Sequence, residues 1–464
     1  MMKHLLLAFS LLLSGCAVGP AYRRPAVHTP ADWKTPLPPE WQLAAPNDDA
    51  PRGPWWEAFQ DDVLNRLEVS AVQANQDLQG AVARVEQARA VARIGKADLL
   101  PTLELNPSYD HFQRSSSSFG GSGTFTGDIF AVPLDLSYEV DLWGKIRRSF
   151  ESASAEAQAS LSAYHTVLLT LTADVARVYF ALRTLDVETD ILRQTIALRQ
   201  EAFELVQRRL EGGVVSQLDL ARAKTELASA EAELTDVQRR RAELENALAV
   251  LCGQTASEFH FEAKPVTLTP PRLPRGLTSR VLERRPDVAQ AERQVAAANA
   301  RIGVAQAAYF PVVRLTGSGG FQSAKFDSLF ETDSRVWSLG PSISLPIFAG
   351  GRNAAQVRAV KAEYAATVAA YRQQVLQAFQ EVEDALANLR WRAEQAQIHV
   401  RIVESAREAA SISRVRYEQG LVNYLEVVDA ERSRLEAERG AKQILNQQLA
   451  STILFIKALG GGWD

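Results

Sequence analysis

The chain has 464 residues, with 51 basic side chains against 55 acidic ones and a formal charge of −4. That balance lacks the electrostatic footprint of a nucleic-acid binder. The six histidines, His4, His28, His111, His165, His260 and His399, have no ligand spacing, and no phosphate loop or nucleophile elbow accompanies them, so no metal, cofactor or catalytic residue is expected.

The chain opens with Lys3, an apolar run from Leu5 to Leu13, and Leu13-Ser14-Gly15-Cys16. A basic n-region, an h-region too short to span a bilayer and a small-residue cleavage site make residues 1–15 a secretory signal. The tetrapeptide ending in Cys16 resembles the bacterial lipobox, which makes Cys16 the diacylated N-terminus. Ala17 behind it, rather than Asp, directs such lipoproteins to the outer membrane. Cys252 is then the remaining thiol, in the apolar run 248–251, and reads as a buried structural cysteine. Residues 16–54 carry nine of the twenty prolines, which predicts an extended tether rather than a domain.

Trp55-Trp56-Glu57-Ala58-Phe59 begins the ordered part, and Leu64, Leu67, Val72, Leu78, Val82, Val85 and Ala92 predict one helix that ends before Pro101. In the strand that follows, Leu103, Leu105, Pro107 and Tyr109 alternate with Thr102, Glu104, Asn106, Ser108 and Asp110, ahead of a polar loop at 115–123. A second strand alternates Phe130, Val132, Leu134, Leu136, Tyr138, Val140 and Leu142 with Ala131, Pro133, Asp135, Ser137, Glu139 and Asp141, one face apolar and the other bearing carboxylates. At Gly144 the period changes. Leu161, Tyr164, Leu168, Leu171, Val175, Val178, Leu182 and Leu185 step by three and four, the seam of a left-handed coiled coil. With no stop before Gly212, Lys145 to Glu211 predicts a helix of about 100 Å, far longer than a bilayer core is thick. Gly212 and Gly213 reverse the chain into a return helix through Leu227, Leu234, Leu244 and Leu251. Residues 254–276, with four prolines, predict an irregular collar beside the helices.

The pattern then recurs. A helix from Pro286 to Phe310 precedes Pro311; Val313, Leu315 and Phe321 alternate with Arg314, Thr316 and Gln322; a polar loop occupies 323–335; and Trp337, Leu339, Pro341, Ile343, Leu345 and Ile347 form a fourth strand. Val360, Tyr364, Val368, Tyr371, Val375 and Val382 restart the three-four rhythm towards Gly420. The segment 209–219 aligns with 416–426, about 207 residues on. The chain is therefore an internal duplication, with a first repeat at 55–253, a linker at 254–276, and a second repeat with the C-terminal tail at 277–464. The fold class is a mixed α and β membrane protein with four transmembrane β-strands and long coiled-coil helices. Four strands cannot close a barrel, and an open edge in lipid leaves backbone groups unpaired. Eight strands from a dimer would fill their own interior, so a homotrimer with twelve is the smallest assembly that leaves a pore.

Cys16-Ala-Val-Gly-Pro-Ala-Tyr-Arg-Arg-Pro25, Trp55-Trp56 with Phe59, Asp141-Leu-Trp-Gly-Lys145 and Leu277-Thr-Ser-Arg-Val-Leu-Glu-Arg-Arg-Pro-Asp287 together resemble the TolC-like outer-membrane factors, in their NodT/OprM lipoprotein branch. The resemblance covers essentially all of the mature chain. It implies a trimeric duct, a twelve-stranded barrel in outer-membrane lipid continuous with a periplasmic helical barrel. Such a duct is the exit of a tripartite efflux pump, coupled through a periplasmic membrane-fusion adaptor to a proton-driven inner-membrane transporter of the RND type, and passes drugs or other small toxic compounds. It needs no cofactor beyond the lipid on Cys16. The resemblance further implies adaptor-binding tips at Gly212, Gly213, Val214, Gly420, Leu421 and Val422, and a periplasmic gate after the second turn at Leu425, Glu426 and Asp429, with Leu218, Asp219 and Arg222 in the first repeat. There Arg222 is expected to pair with an acid across the hairpin interface. A protein-secretion duct shares this fold but fits the acylated cysteine less well, and a structural coiled-coil lipoprotein leaves the four amphipathic strands unexplained.

Overall fold

A computed structural model describes residues 17–27, 33–34, 53–114, 125–271 and 284–461. The signal, Cys16, much of the tether, the 115–123 loop, the linker beyond 271 and the first part of the Leu277 motif lie outside these residues. The chain forms two compact units, one of Met1–Ala26, Arg84–Leu161 and Gln290–Arg372, the other of Val27–Ala83, Ser162–Ala289 and Gln373–Asp464. Each draws matching pieces from both repeats, because a repeat with an apolar seam on its helices buries that seam against its twin. The duplication is visible in the helix lengths. Helices α2 (Gln76–Ala97) and α5 (Pro286–Ala307) have 22 residues each, α3 (Lys145–Glu211) and α6 (Arg352–Glu418) 67, and α4 (Gln217–Leu251) and α7 (Tyr424–Ala458) 35.

Among the described residues the first unit holds one antiparallel sheet of β1 (Thr102–Leu105), β2 (Ser108–Arg114), β3 (Phe125–Val140), β4 (Val312–Ser323) and β5 (Arg335–Ser344). Its order is β1-β3-β4-β5, with β2 also on β3. β1 and β2 together are the first expected strand. Pro107, which has no N–H for the ladder, interrupts it, while the Asn106 N–H still donates to Pro133 O at 3.1 Å. The last strand stops at Ser344, short of the expected Ile347.

The lead segment is not a free tether where it is described. In the first unit Val18 N–H donates to Trp143 O (2.9 Å), Asn299 Nδ2 to Pro20 O (3.0 Å) and the Tyr22 hydroxyl to Glu292 (2.7 Å). Gly19 crosses Gly303 so closely that a Cβ on Gly19 would lie 2.5 Å from the Gly303 Cα.

In the second unit the helix expected from Leu64 to Ala92 is broken, with α1 (Asp62–Ala74) ending before α2 at Asn75. The Asn75 side chain accepts from Leu78 N–H (3.0 Å) and donates to Leu251 O (3.1 Å), so a buried polar group caps one helix and holds another. Around it Leu64, Leu182, Leu248, Leu449, Ile453 and Ile456, all fully buried, form a core with Trp55, Tyr179 and Cys252. Each such aliphatic side chain stabilises the fold by roughly 1.5–3 kcal/mol. The irregular segment after α4 is held against α3 and α4 by ion pairs that also grip its backbone. Asp186 binds Arg183 (3.1 Å) and Arg241 (2.7 Å), and these arginines donate to Glu262 O (3.0 Å) and Phe261 O (2.7 Å).

Candidate channel wall and helical gate

The strand register decides which side chains share a face. Phe130 pairs with Tyr109 and Ser323, Val132 with Phe321, Leu136 with Leu103 and Gly317, and Tyr138 with Leu315. Leu315, Gly317 and Gly319 in turn pair with Pro341, Leu339 and Trp337. From Phe130 to Tyr138 of β3 the apolar sets of β1, β3, β4 and β5 therefore share one face, which beyond Phe130 carries the His111–Asp128 pair (2.7 Å), and Trp337 (82 % exposed) and Leu339 (77 %) stand uncovered in the single chain. The opposite face carries Glu104, Asp135, Glu139, Arg314, Thr316 and Ser338. There Asn106 donates to Asp135 (3.0 Å) and Arg314 lies 3.6 Å from Glu139. Among the described residues no helix is long and apolar enough to cross a membrane; the apolar face of the sheet belongs to the strands.

The Asp141-Leu-Trp-Gly-Lys145 motif is the joint from strand to helix. Asp141 accepts from the N–H groups of Ile146 (3.1 Å) and Arg147 (2.9 Å), an N-terminal cap that also pairs with the Arg147 guanidinium (3.1 Å). Gly144, at φ +77°, turns the chain. Trp143 stacks on Phe310 at 4.7 Å and donates to Pro311 O (2.8 Å). The part of the Leu277 motif that is described does comparable work in the second unit. Arg285, nine-tenths buried, binds Asp287 (2.6 Å), Glu381 (2.6 Å) and Ala458 O (3.2 Å). Burial pushes the Asp287 carboxyl up, but the Arg285 guanidinium outweighs it and holds the group below the usual carboxylate range.

Both hairpin turns share one geometry. Val214 N–H donates to Arg209 O and Gly213 N–H to Leu210 O; Leu421 N–H donates to Arg416 O and Gly420 N–H to Tyr417 O. These are Schellman caps with glycine at φ +73° and +75°. Gly212 precedes the turning residue in the first repeat. Val214 and Leu421 are 73 % and 65 % exposed, so both turns present apolar tips, with Val422 half-buried beside Leu421. Ser216 and Asn423 then cap the next helices, accepting from Asp219 N–H and Glu426 N–H.

The expected gate residues fall on one surface. Leu425, Glu426 and Asp429 are exposed, while Tyr424, Val427 and Val428 between them are buried against Val206 and Ala223 of the first hairpin. Two of the acids have further partners. Glu426 binds Arg416 at 2.9 Å, and Asp219 completes a capping box with Ser216 (2.7 Å). Arg222 pairs with Asp219 on its own helix at 3.9 Å, not across the hairpin interface as expected, since an i, i+3 acid is its nearest partner. Leu218 is exposed.

The links between the hairpins lie higher and escaped the sequence. Glu226 of α4 takes Arg199 of α3 (3.2 Å) and Arg432 of α7 (2.5 Å). Arg439 of α7 takes Glu188 (2.6 Å) and Glu233 (2.5 Å), and Arg209 sits 4.5 Å over the Tyr417 ring. A periodicity that marks apolar seams does not rank acids at seam positions; Glu188 and Glu226 are buried there because an arginine from the other repeat meets them.

A family model described as outer membrane efflux protein matches residues 67–254 and 277–461. The solvent efflux pump outer membrane protein SrpC of Pseudomonas putida is 32% identical over 98% of this chain and 97% of its own. The cation efflux system protein CusC of Escherichia coli O157:H7 is 30% identical over 100% of this chain and 99% of its own. The solved structure of the outer-membrane channel OprN superposes with a TM-score of 0.90 at 31% identity, covering 97% of this chain and all of that one. The chain belongs to the outer membrane efflux protein family and is an outer-membrane channel, the exit duct of a tripartite efflux system.

Proposed function

We propose that three copies close the sheet into a twelve-stranded barrel and pass small organic toxic compounds handed over by a periplasmic adaptor and an RND-type inner-membrane transporter. The observation that carries this reading is the register: from Phe130 to Tyr138 of β3 and along the paired stretches of β1, β4 and β5, one face is apolar and the other polar, with β5 at one edge and β1 and β2 at the other. Edges in lipid must pair. Lipid on Cys16 adds a second hold on the membrane at about 0.8 kcal/mol per buried CH₂, the exposed tips receive the adaptor, and the Leu425, Glu426 and Asp429 face lines the gate. No enzymatic step, cofactor or nucleic acid is involved. Relatives named for solvent and for cation efflux leave two cargo classes. Organic cargo is favoured because the only methionines, Met1 and Met2, fall in the signal, so the mature chain has no thioether ladder for soft cations.

Planar-bilayer recording of the purified trimer tests the reading. Discrete channel conductance is expected, whereas an envelope tether conducts nothing. Crosslinking in cells should recover an adaptor through Val214 or Leu421, and labelled palmitate should enter the wild type but not Cys16→Ser. Recovery of an adaptor that serves a peptide-secreting ABC transporter would replace drug efflux by protein secretion.

A further inference from the structure

The duplication repeats the strands as closely as the helices. Helices α2 and α5 lie 210 positions apart, and α3 and α6 lie 207 apart. The strands between them keep the same two offsets. In the first hairpin Thr102 pairs with Ser137 and Leu103 with Leu136; in the second Val312 pairs with Ser344 and Val313 with Ile343. Residues of β1 and β2 therefore have their counterparts 210 positions on, in β4, and residues of β3 have theirs 207 positions on. Within the chain the hairpins meet along β3 and β4, with Val140 opposite Val313, Tyr138 opposite Leu315 and Asp135 opposite Ser318. That contact joins the second strand of one repeat to the first strand of the other. The edges left over, β5 on one side and β1 with β2 on the other, are again a second strand and a first strand.

We propose, resting on the trimer proposed above, that these edges pair between copies in the register that β3 and β4 have within one copy. Carried over by the two offsets, Ile347 lies opposite the partner's Leu103, Leu345 opposite the partner's Leu105, Ser342 opposite the partner's Ser108 and Leu339 opposite the partner's His111. Such a head-to-tail contact closes into a ring. The faces agree: by alternation Leu345 and Ile347 continue the row of Leu339 and Ile343, and Leu103, Leu105 and His111 lie on that same face. A slip of one residue would turn Leu339 and Trp337 into the polar lumen. The register also accounts for the early end of β5. β3 runs on to Val140 because Tyr138, Glu139 and Val140 pair with β4, beyond the reach of β1. Their counterparts Leu345, Pro346 and Ile347 meet no strand among the described residues, and Ile347 is 94 % exposed. Asn106 N–H donates to Pro133 O, so odd-numbered residues of β3 turn their backbone groups towards β1 and β2. Pro346, in the place of Glu139, therefore faces away from the partner and needs no N–H there, while Pro107 and Pro341 each leave one rung with a single bond. At the joint below the sheet, Trp143 stacks on Phe310 within the chain. The counterpart of Phe310 is the exposed Leu100, and the aromatic of the second joint, Phe348, is 90 % exposed; the neighbouring copy brings these two together.

Paired cysteines in the full-length protein test the register. Ser108→Cys with Ser342→Cys, and Asn106→Cys with Ser344→Cys, put thiols on directly opposed pairs outside the hydrogen-bonded rungs, about 4.5 Å apart at Cα and within disulfide reach. The crossed combinations, Asn106→Cys with Ser342→Cys and Ser108→Cys with Ser344→Cys, use the same four positions two residues out of register, at about 7–8 Å. All four side chains are exposed on the polar face, and the native Cys252 is buried. After oxidation of isolated outer membranes with copper phenanthroline, non-reducing electrophoresis should show covalent dimers and trimers for both matched pairs. About tenfold less is expected for the crossed pairs, and none for the single substitutions. Native mass spectrometry reads separately whether each variant is a trimer. Intact trimers in which the crossed pairs link as well as the matched ones, or in which no pair links, overturn the register and leave the trimer standing. A wild type that forms no trimer overturns both, and a covalent ladder that closes at another number supports the register and overturns the count of three.

Discussion

Glu68 is fully buried in the core of the second unit, and neither carboxylate oxygen has a hydrogen-bond partner among the described residues. Burial pushes its pKa up to about 9 from an ordinary value of 4.5. The neighbouring Cys252 thiol is pushed up to about 11, by burial first and by Glu68 second. The sign follows from which state keeps the proton. Below about pH 4.5 both folded and unfolded chains hold it, and the fold carries no penalty. Between 4.5 and 9 only the folded chain does, so stability falls by up to about 1.4 kcal/mol per pH unit until the folded group also ionises. Thermal unfolding at pH 5, 7 and 9 should show a decline that Glu68→Gln flattens; equal slopes in the two proteins refute the burial of an acid here. Nothing in the sequence announced this residue. Periodicity placed Leu64, Leu67 and Val72 on the inner face of one helix, whereas α1 fully buries Leu64, Glu68 and Ala71 and leaves Val69 half exposed. The break at Asn75 allows that rotation, and Asn at a helix end is also an ordinary surface residue, so spacing alone did not reveal it.

Long helices and strand alternation were legible because each is a repeated local preference, and the duplication let one repeat check the other. The turns were legible for a narrower reason: only glycine takes positive φ at little cost, and Gly213 and Gly420 recur at the same offset. A Cβ at either position meets nothing within 4 Å, so the backbone conformation alone penalises substitution. Gly213→Ala and Gly420→Ala should each cost about 1–2 kcal/mol and shift the thermal midpoint by a few degrees with trimers intact. Tryptophan at both positions projects into open space and should abolish efflux by blocking the adaptor. Drug accumulation assays check this, and retained efflux in the double tryptophan variant means that the turns are not a docking surface. Asn75→Ala removes the α2 cap and the bond to Leu251 O together and should cost about 1–2 kcal/mol in chemical unfolding. The Arg–Glu links between hairpins were illegible because each joins residues more than two hundred positions apart, as Arg432 and Glu226 are.

At the scale of the assembly, a residue matters at the gate if three-fold symmetry turns it into a ring, which requires that the protomer leave it uncovered. Leu425 and Asp429 satisfy that condition one helical turn apart. Glu426 and Asp219 satisfy it less well, since the first is tied to Arg416 and the second to the Ser216 cap. In the first repeat Arg222 pairs with Asp219 on the same helix, and on the proposed reading the second repeat lines the constriction. Leu425→Ala with Asp429→Ala should therefore raise single-channel conductance, because the apolar ring is truncated, and lower cation selectivity, because three carboxylates are lost. Glu426→Gln alone should change selectivity less, and by freeing Arg416 should act chiefly on stability at the turn. Reversal potentials in a salt gradient separate the two effects: selectivity that falls with conductance unchanged assigns Asp429 to the lumen and moves the narrowest point away from Leu425. Leu218→Ala is the control, since it is an exposed leucine at the same position of the other repeat. If it widens the channel as much as the double substitution does, both hairpins line the constriction, and the division of labour between the repeats is wrong.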